Sequence, residues 1–377
     1  MREDTGDFHN LFVNDIPLLD LRAPVEFTRG AFPHAINIAL LDDSQREQIG
    51  IRYKQAGEEE AIRLGLELAT DEIRQQRIAD WLGFCEQNPD GYLYCFRGGL
   101  RSRTAQQWIR EQGVDYPLVR GGYKAMRRYL IDELENSLAQ VSMVCVSGLT
   151  GVGKTRVLKQ ISHHIDFEGL ANHRGSAFGR DANDSQPSSI DWENAVSIEF
   201  IKHRLRFPRS AVFVEDEGRR IGRVSMADCL FSALLQAPRA ILQVDIEARV
   251  RLIGEDYILH SWPAYRLAYG DSAVAEFSGF VLDNLLRIRK RLGGDTYKQV
   301  RQCFDQALKL LFADGSVDGF YDGIRILLEQ YYDPMYRYQI DRKQPRIIFE
   351  GPEAEFLQWA AHYSATRPAE LNPLDEA

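Results

Sequence analysis

The sequence predicts an α/β protein made of two successive parallel-sheet units, the second ending in a mainly helical part. Three observations carry this. In the first third of the chain, short apolar runs alternate with helical patterns, as expected of parallel strands joined by crossover helices. A second series opens near Val141 with an apolar strand, a glycine-rich loop and a helical stretch. From about Phe277 onward the apolar spacing is mainly helical. At roughly 150 residues per domain, 377 residues suit two to three domains. A hydrophobic content of 44% with 27% charged residues supplies material for several cores without the bias of a disordered chain.

Taken in order, residues 17–21 and 35–38 read as the first two strands, 71–84 as an amphipathic helix and 91–94 as a third strand. A charged helical segment over 122–140 leads to the apolar run 141–147, which starts the second unit. Helical spacing is expected over 156–164, strands over 211–214 and 240–244, and a charged helix from Glu247. The expected domains are 12–135, 141–276 and a mainly helical part over 277–366, followed by a polar tail at 367–377. No internal repeat interrupts this order.

Composition narrows the function. The longest apolar stretches, such as 143–146, fall far short of the roughly 20 residues a membrane helix needs, and the opening Arg2-Glu3-Asp4 lacks the basic flank and apolar core of a secretory signal. A cytoplasmic protein with no membrane partner is expected. Five scattered cysteines (Cys85, Cys95, Cys145, Cys229 and Cys303) argue against a disulfide framework or a paired-cysteine zinc site. The net charge of −9 conceals a basic stretch, since residues 201–300 hold 16 Lys/Arg against 12 Asp/Glu. Such a stretch serves a polyanionic partner or merely a solvated mixed surface.

Two motifs carry chemistry. In Tyr94-Cys95-Phe96-Arg97-Gly98-Gly99-Leu100-Arg101 a cysteine directly after a strand enters a glycine turn that opens a helix. Backbone amides, the helix N-terminus, Arg97 and Arg101 would favour an anion there and stabilise a thiolate or persulfide. An ordinary cysteine is only about 3% ionised at pH 7, so a modest downward shift would make it reactive. The second motif is Gly148-Leu149-Thr150-Gly151-Val152-Gly153-Lys154-Thr155, a full phosphate-loop (P-loop) pattern in the strand–loop–helix context it requires. Gly148, Gly151 and Gly153 would let backbone amides approach a diphosphate, Lys154 would neutralise its oxygens, and the Thr155 hydroxyl is a candidate ligand for Mg2+. No other cofactor is indicated. Asp216 and Glu217, at the end of the strand 211–214, are candidates for an acidic, magnesium-associated position. His173, Arg174 and Ser176 suit an anion- or substrate-contacting loop, with Gln186-Pro187-Ser188 following. Arg219-Arg220-Ile221-Gly222-Arg223 and Arg287-Ile288-Arg289-Lys290-Arg291 could track nucleic-acid phosphates or line a solvated helix face. For Tyr331, Tyr332, Tyr336 and Tyr338, packing is the better expectation than base stacking.

The cysteine loop, with Asp20-Leu21-Arg22-Ala23-Pro24-Val25-Glu26-Phe27 and Gly30-Ala31-Phe32-Pro33-His34-Ala35-Ile36-Asn37 upstream, resembles the rhodanese-like sulfurtransferases over roughly residues 12–135. That resemblance implies a covalent chalcogen on Cys95, with Arg97, Gly98, Gly99 and Arg101 shaping the loop. A rhodanese-like parallel-sheet domain followed by a P-loop NTPase-like α/β domain, with His173-Arg174-Gly175-Ser176 and Glu215-Asp216-Glu217-Gly218-Arg219-Arg220-Ile221-Gly222 behind the loop, resembles the bacterial tRNA 2-selenouridine synthase family. Ser189 departs from the family pattern, which has glutamine there. The family resemblance implies replacement of sulfur by selenium at a wobble 2-thiouridine in the tRNA anticodon loop. It further implies selenophosphate and geranyl diphosphate as substrates and an S-geranylated intermediate. The alternatives are a rhodanese-like module fused to an ATP-dependent small-molecule kinase, and a regulatory module with Cys95 as a redox sensor.

Overall fold

The computed structural model describes residues 2–173 and 186–366. The chain divides into two units, one of Met1–Ser137 with Ser188–Lys202 and one of Leu138–Pro187 with His203–Ala377. In the first, β1 (Leu18–Asp20) lies between β2 (Ala35–Asn37) and β3 (Tyr92–Tyr94), all parallel. Leu19 stands opposite Ile36 on one side and Leu93 on the other. Beyond β3 the pairing continues through parallel bridges, Leu93 with Leu118 and Thr5 with Val119. All three β1 residues are buried, as befits the centre of a parallel sheet covered on both faces.

Local chemistry sets the connections. Pro24 opens the helix Pro24–Arg29, where its missing N–H costs nothing. Asp42 accepts from the Gln45 amide while the Gln45 side chain accepts from Asp42 N, a reciprocal cap on the helix Asp43–Ala56. The helix Asp71–Gln87 turns Ile78, Trp81, Phe84 and Cys85 to the core at helical spacing, and the Trp81 indole donates to Ile38 O at 3.0 Å. The helix Ser189–Arg206 contributes Ile198 and Ile201 to the core of this unit. Its polar groups add further links: Asn194 donates to Ala31 O, Ser197 to Leu130 O and Lys202 to Asp15.

A buried ion pair pins the carboxyl end of the central strand β1. Arg22 Nε donates to both Asp20 carboxylate oxygens at 3.0 and 2.9 Å, and its Nη2 reaches Asp20 at 2.6 Å and Gly30 O at 2.7 Å. Its guanidinium lies 3.8 Å from the Tyr123 ring centre. Burial disfavours the charge, yet the Asp20 hydrogen bonds and attraction prevail and raise the Arg22 pKa. Pairs of this kind persist only when fully hydrogen-bonded.

The second unit holds a parallel sheet in the order β5-β4-β8-β9, from β4 (Met143–Ser147), β5 (Val212–Glu215), β8 (Arg239–Leu242) and β9 (Ile347–Gly351). A two-stranded hairpin, β6 (Arg220–Ile221) and β7 (Val224–Ser225), lies between β5 and β8 in sequence. Two expectations change here. The helix after the glycine-rich loop covers only Lys154–Leu158, because residues 163–165 pair alongside β5: Phe213 N donates to His163 O and Ile165 N to Phe213 O. The helical C-terminal part is interrupted by β9, which joins the sheet beside β8, and the helix Glu353–Thr366 then returns Phe356 and Ala360 to that core.

Between β8 and β9 the chain builds a helical core. Val281, Leu285, Ile288 and Leu292 of the helix Ala273–Leu292 pack with Val300, Phe304, Leu308 and Leu311 of the helix Gly294–Asp314. No helix among the described residues is long and apolar enough to cross a membrane.

Two histidines, His163 and His203, are buried near Phe207 and Phe213. Burial first, and His163 second, lower the pKa of His203 to about 4. The unfolded chain therefore takes up this proton first as pH falls, so stability is full above about pH 6.5 and is lost progressively toward pH 4. His203 should contribute a loss of roughly 2–3 kcal/mol over that range. Urea unfolding of wild type and His203→Phe at pH 7 and 4.5 checks this, with a smaller pH difference expected for the variant.

Candidate functional site

Cys95 follows β3 directly and is buried, at the carboxyl end of the parallel sheet. Gly98 adopts a left-handed φ of +63° and Gly99 caps the helix Leu100–Arg110. The loop lies against a second glycine pair. Tyr123 N donates to Cys95 O and Lys124 N to Phe96 O, each at 2.9 Å. A Cβ on Gly122 would stand 2.2 Å from Cys95 O and 2.6 Å from Gly98 N, and one on Gly98 would stand 2.9 Å from Gly121 N. Two backbones meet where no side chain fits. Gly121 and Gly122 were not singled out in the sequence, although a glycine pair opening a helix repeats the signal of Gly98-Gly99.

The two arginines of this loop differ. Arg97 is exposed above the Phe96 ring. Arg101 donates to both Glu26 oxygens, at 2.6 and 3.3 Å, and Arg46 approaches the same carboxylate at 3.3 Å. Burial pushes the Glu26 carboxyl up, but Arg101 outweighs it and holds the pKa low. Arg101 thus ties the cysteine-loop helix to the helix Pro24–Arg29, and Arg97 is the loop's exposed cation. By contrast, burial pushes the Cys85 thiol up to about 12.

In the second unit the phosphate loop follows β4. Gly148, Gly151 and Gly153 all have positive φ. A Cβ on Gly148 would meet Leu242 O at 2.7 Å, and one on Gly151 would meet the Ile253 side chain at 2.5 Å, whereas one on Gly153 would make only ordinary contacts, from 3.9 Å, and that position needs glycine for its φ of +76°. Lys154 donates to Gly148 O at 3.5 Å across the loop. Arg249, buried on its helix Ile246–Gly254, donates from Nε to Thr150 O at 2.9 Å and grips Asp333 with both terminal nitrogens. That pair fixes the outer wall of the loop. A charged residue on the buried face of a helix was its only trace in the sequence.

The acidic groups separate into two sets. Asp216 accepts from Ser147 Oγ and from Arg239 at 3.1 Å, with the buried Tyr336 phenol alongside. Burial, and then Asp216, push that phenol up to about 12. Thr155 instead donates to Glu168, at 3.0 Å, a residue not singled out in the sequence. Burial and Glu168 push the Glu217 carboxyl well up, opposed by Lys154. Glu215, fully buried, accepts from Phe167 N at 2.9 Å and is likewise raised, by burial and then by Asp166 and Glu168. Glu168 and Glu217 therefore accompany Lys154 and Thr155, while Asp216 braces the strand ends.

This donor set suits magnesium. A hydroxyl and crowded carboxylates are hard oxygen ligands, and magnesium is commonly held by one or two carboxylates completed by substrate phosphates and water. Among the described residues no group of three or more His, Cys, Asp and Glu forms a cage by itself.

His173 N donates to Glu168 O, and its ring comes against the β6–β7 turn, where a Cβ on Gly222 would lie 2.6 Å away. Gln186 reaches the same turn, donating to Ile221 O and accepting from Arg223 N. Arg174 and Ser176 lie outside the described residues. Tyr331 and Tyr332 pack against the helical core, as expected, and Tyr338 is exposed.

Beside the loop is a cavity of about 620 Å3. Its apolar wall includes Leu149, Val152, Leu242, Val244 and Ile340, and Asp245, Arg337 and Glu350 are among its polar groups. Leu149 and Val152 belong to the phosphate loop itself, so a ligand held there by its phosphates would meet apolar surface next.

Residues 141–367 match the family described as the tRNA 2-selenouridine synthase AAA domain. The chain is 46% identical over 366 residues to a tRNA 2-selenouridine synthase from Marinobacter nauticus, covering 97% of this chain and 99% of that protein. It is 47% identical over 356 residues to one from Alcanivorax borkumensis, covering 94% and 98%. A solved N-terminal domain of a putative ATP/GTP binding protein from Clostridium difficile 630 aligns with 31% of this chain and 89% of its own, at 26% identity and a TM-score of 0.29, too low to bear on the fold. With similarity at this level along nearly its whole length, the chain belongs to the tRNA 2-selenouridine synthase family.

Proposed function

We propose that this protein is a tRNA-modifying transferase that replaces sulfur by selenium in wobble 2-thiouridine through an S-geranylated intermediate, using geranyl diphosphate and selenophosphate. The observation that carries the reading is the presence, in one member of this family, of a strand-end cysteine in a glycine-backed loop and a phosphate loop bordered by an apolar cavity. The first unit is read as rhodanese-like, since Cys95 ends a parallel strand and its loop runs straight into a helix.

In the first step the thiocarbonyl sulfur attacks C1 of geranyl diphosphate, a carbon–sulfur bond forms, and pyrophosphate leaves with the electron pair of the broken carbon–oxygen bond. Lys154 and the loop amides stabilise the charge gathering on that leaving group. Magnesium, held by Thr155 with Glu168 or Glu217, would supply further positive charge there. The apolar wall formed by Leu149, Val152 and Ile340 receives the hydrocarbon tail. Alkylation turns a poor leaving group into one that can depart as a thiolate. In the second step selenophosphate held at the Cys95 loop attacks C2 of the base through its selenium, the C2–sulfur bond breaks and geranylthiolate leaves with its electron pair, and water then cleaves the selenium–phosphorus bond and releases phosphate. Arg97 attracts the selenophosphate anion, while Arg101 keeps the loop in place through Glu26. The unpaired bases of an anticodon loop are easily extruded to meet these groups.

Two reciprocal variants test the division of labour. Lys154→Ala should lower geranylation of thiolated tRNA by about 10²–10³-fold while leaving selenation of pre-geranylated tRNA intact; equal loss of both overturns the assignment. Cys95→Ser should geranylate normally and accumulate S-geranyl tRNA without forming selenouridine. Normal selenation by that variant, measured by nucleoside mass spectrometry, overturns the role of Cys95 in the exchange.

A further inference from the structure

The helix Ala273–Leu292 buries Phe277, Val281, Leu285, Ile288 and Leu292. Helical geometry then turns Lys290 opposite that stripe, with Arg287, Arg289 and Arg291 around the solvent side, and all four are exposed. They occupy the last turn and a half, about 6 Å of helix axis. Three other arginines of this unit are neutralised, Arg249 by Asp333, Arg301 by Asp305 and Arg325 by Glu247. Among the described residues no ion pair joins any of these four to a carboxylate. Arg287 donates to Asn284 Oδ1 at 3.1 Å and Arg289 lies 5.2 Å from the Tyr297 ring centre, both uncharged partners. The nearby Asp295 faces Lys298 at 3.6 Å.

Three of the cations, Arg287, Arg289 and Lys290, border an open surface cleft of about 460 Å3, lined also by Leu286, Gly293 and Gly294. Gly293 needs its glycine for a φ of +90°, where the chain passes from one helix to the next. Gly294 has no such need: a Cβ there would meet nothing within 4 Å. Its bare backbone leaves the cleft floor clear, and the half-exposed Leu286 gives that floor an apolar spot.

We propose that this basic helix end is a contact surface for the sugar–phosphate backbone of tRNA, resting on the reading of the protein as a tRNA-modifying enzyme. Clustered, unneutralised cations around an open cleft complement a polyanion, and contacts of this kind position RNA without reading its sequence. A purely structural role, favourable placement of cations at a helix C-terminus, requires neither the cleft nor the bare glycine.

Two variants of the full chain separate these roles. Gly294→Glu puts a negative side chain into the cleft at the first turn of a helix, where it favours folding. The combined variant Arg287→Gln, Arg289→Gln, Lys290→Gln and Arg291→Gln removes the charge. Binding of a fluorescent tRNA transcript is followed by anisotropy from roughly 50 to 200 mM salt, with thermal unfolding measured in parallel. The expected results are weaker binding by Gly294→Glu at unchanged or higher melting temperature, and a salt slope shallower by about 3 to 3.5 for the quadruple variant, at 0.7–0.9 per phosphate contact for four cations. Wild-type affinity and slope in both variants overturn the surface alone. Failure of wild type to bind tRNA at low salt overturns the function reading and the surface together.

Discussion

At both candidate sites the backbone approaches another backbone more closely than any side chain allows. In the first unit Gly122 lies against Cys95 O and the Gly98 amide; in the second Gly148 lies against Leu242 O. Each contact sits just beyond the carboxyl end of a parallel strand, where the chain must leave the sheet and enter a helix. Glycine there is a steric requirement, and it brings loop amides close enough together to serve an anion. Both chemistries ascribed to the chain, a sulfur or selenium nucleophile and a diphosphate, need that concentration of N–H donors.

Buried ion pairs hold these loops in position. Arg22 with Asp20 anchors the carboxyl end of β1 against Tyr123, the residue whose amide binds Cys95 O. Arg249 with Asp333 fastens Thr150, and Arg239 with Asp216 braces the strand ends behind Ser147. The Arg249 and Arg239 pairs connect segments distant in sequence, and removing one partner of any of the three would leave an uncompensated buried charge. The same logic reassigns Arg101 from the thiol to Glu26, and it divides the acidic residues into Asp216 as a brace and Glu217 as a neighbour of Lys154.

Much of this was legible in the sequence because the signals are local. The strands around Leu19, Leu93, Val144 and Phe213, the helix Gly122–Gln140 and both glycine-rich loops follow from apolar periodicity and turn chemistry over a few residues. What was not legible depends on distant partners. The helix after Lys154 stops at Leu158 because residues 163–165 find β5, and β9 is a strand because the edge of β8 is open to it. Glu168 reaches Thr155 only through the fold, and nothing in their spacing announces it. The segment 188–202 looks like part of the second domain, but its polar stitches to Ala31, Leu130 and Asp15 lie in the first unit.

The central claim is that one chain alkylates the thiocarbonyl sulfur and then exchanges it for selenium. The direct measurement is mass spectrometry of nucleosides from 2-thiouridine tRNA incubated with the protein and geranyl diphosphate, selenophosphate, or both. The account predicts S-geranyl thiouridine with geranyl diphosphate alone, no change with selenophosphate alone, and selenouridine only with both. Selenouridine formed without geranyl diphosphate, or nucleosides unchanged by the folded protein under all three conditions, would contradict it.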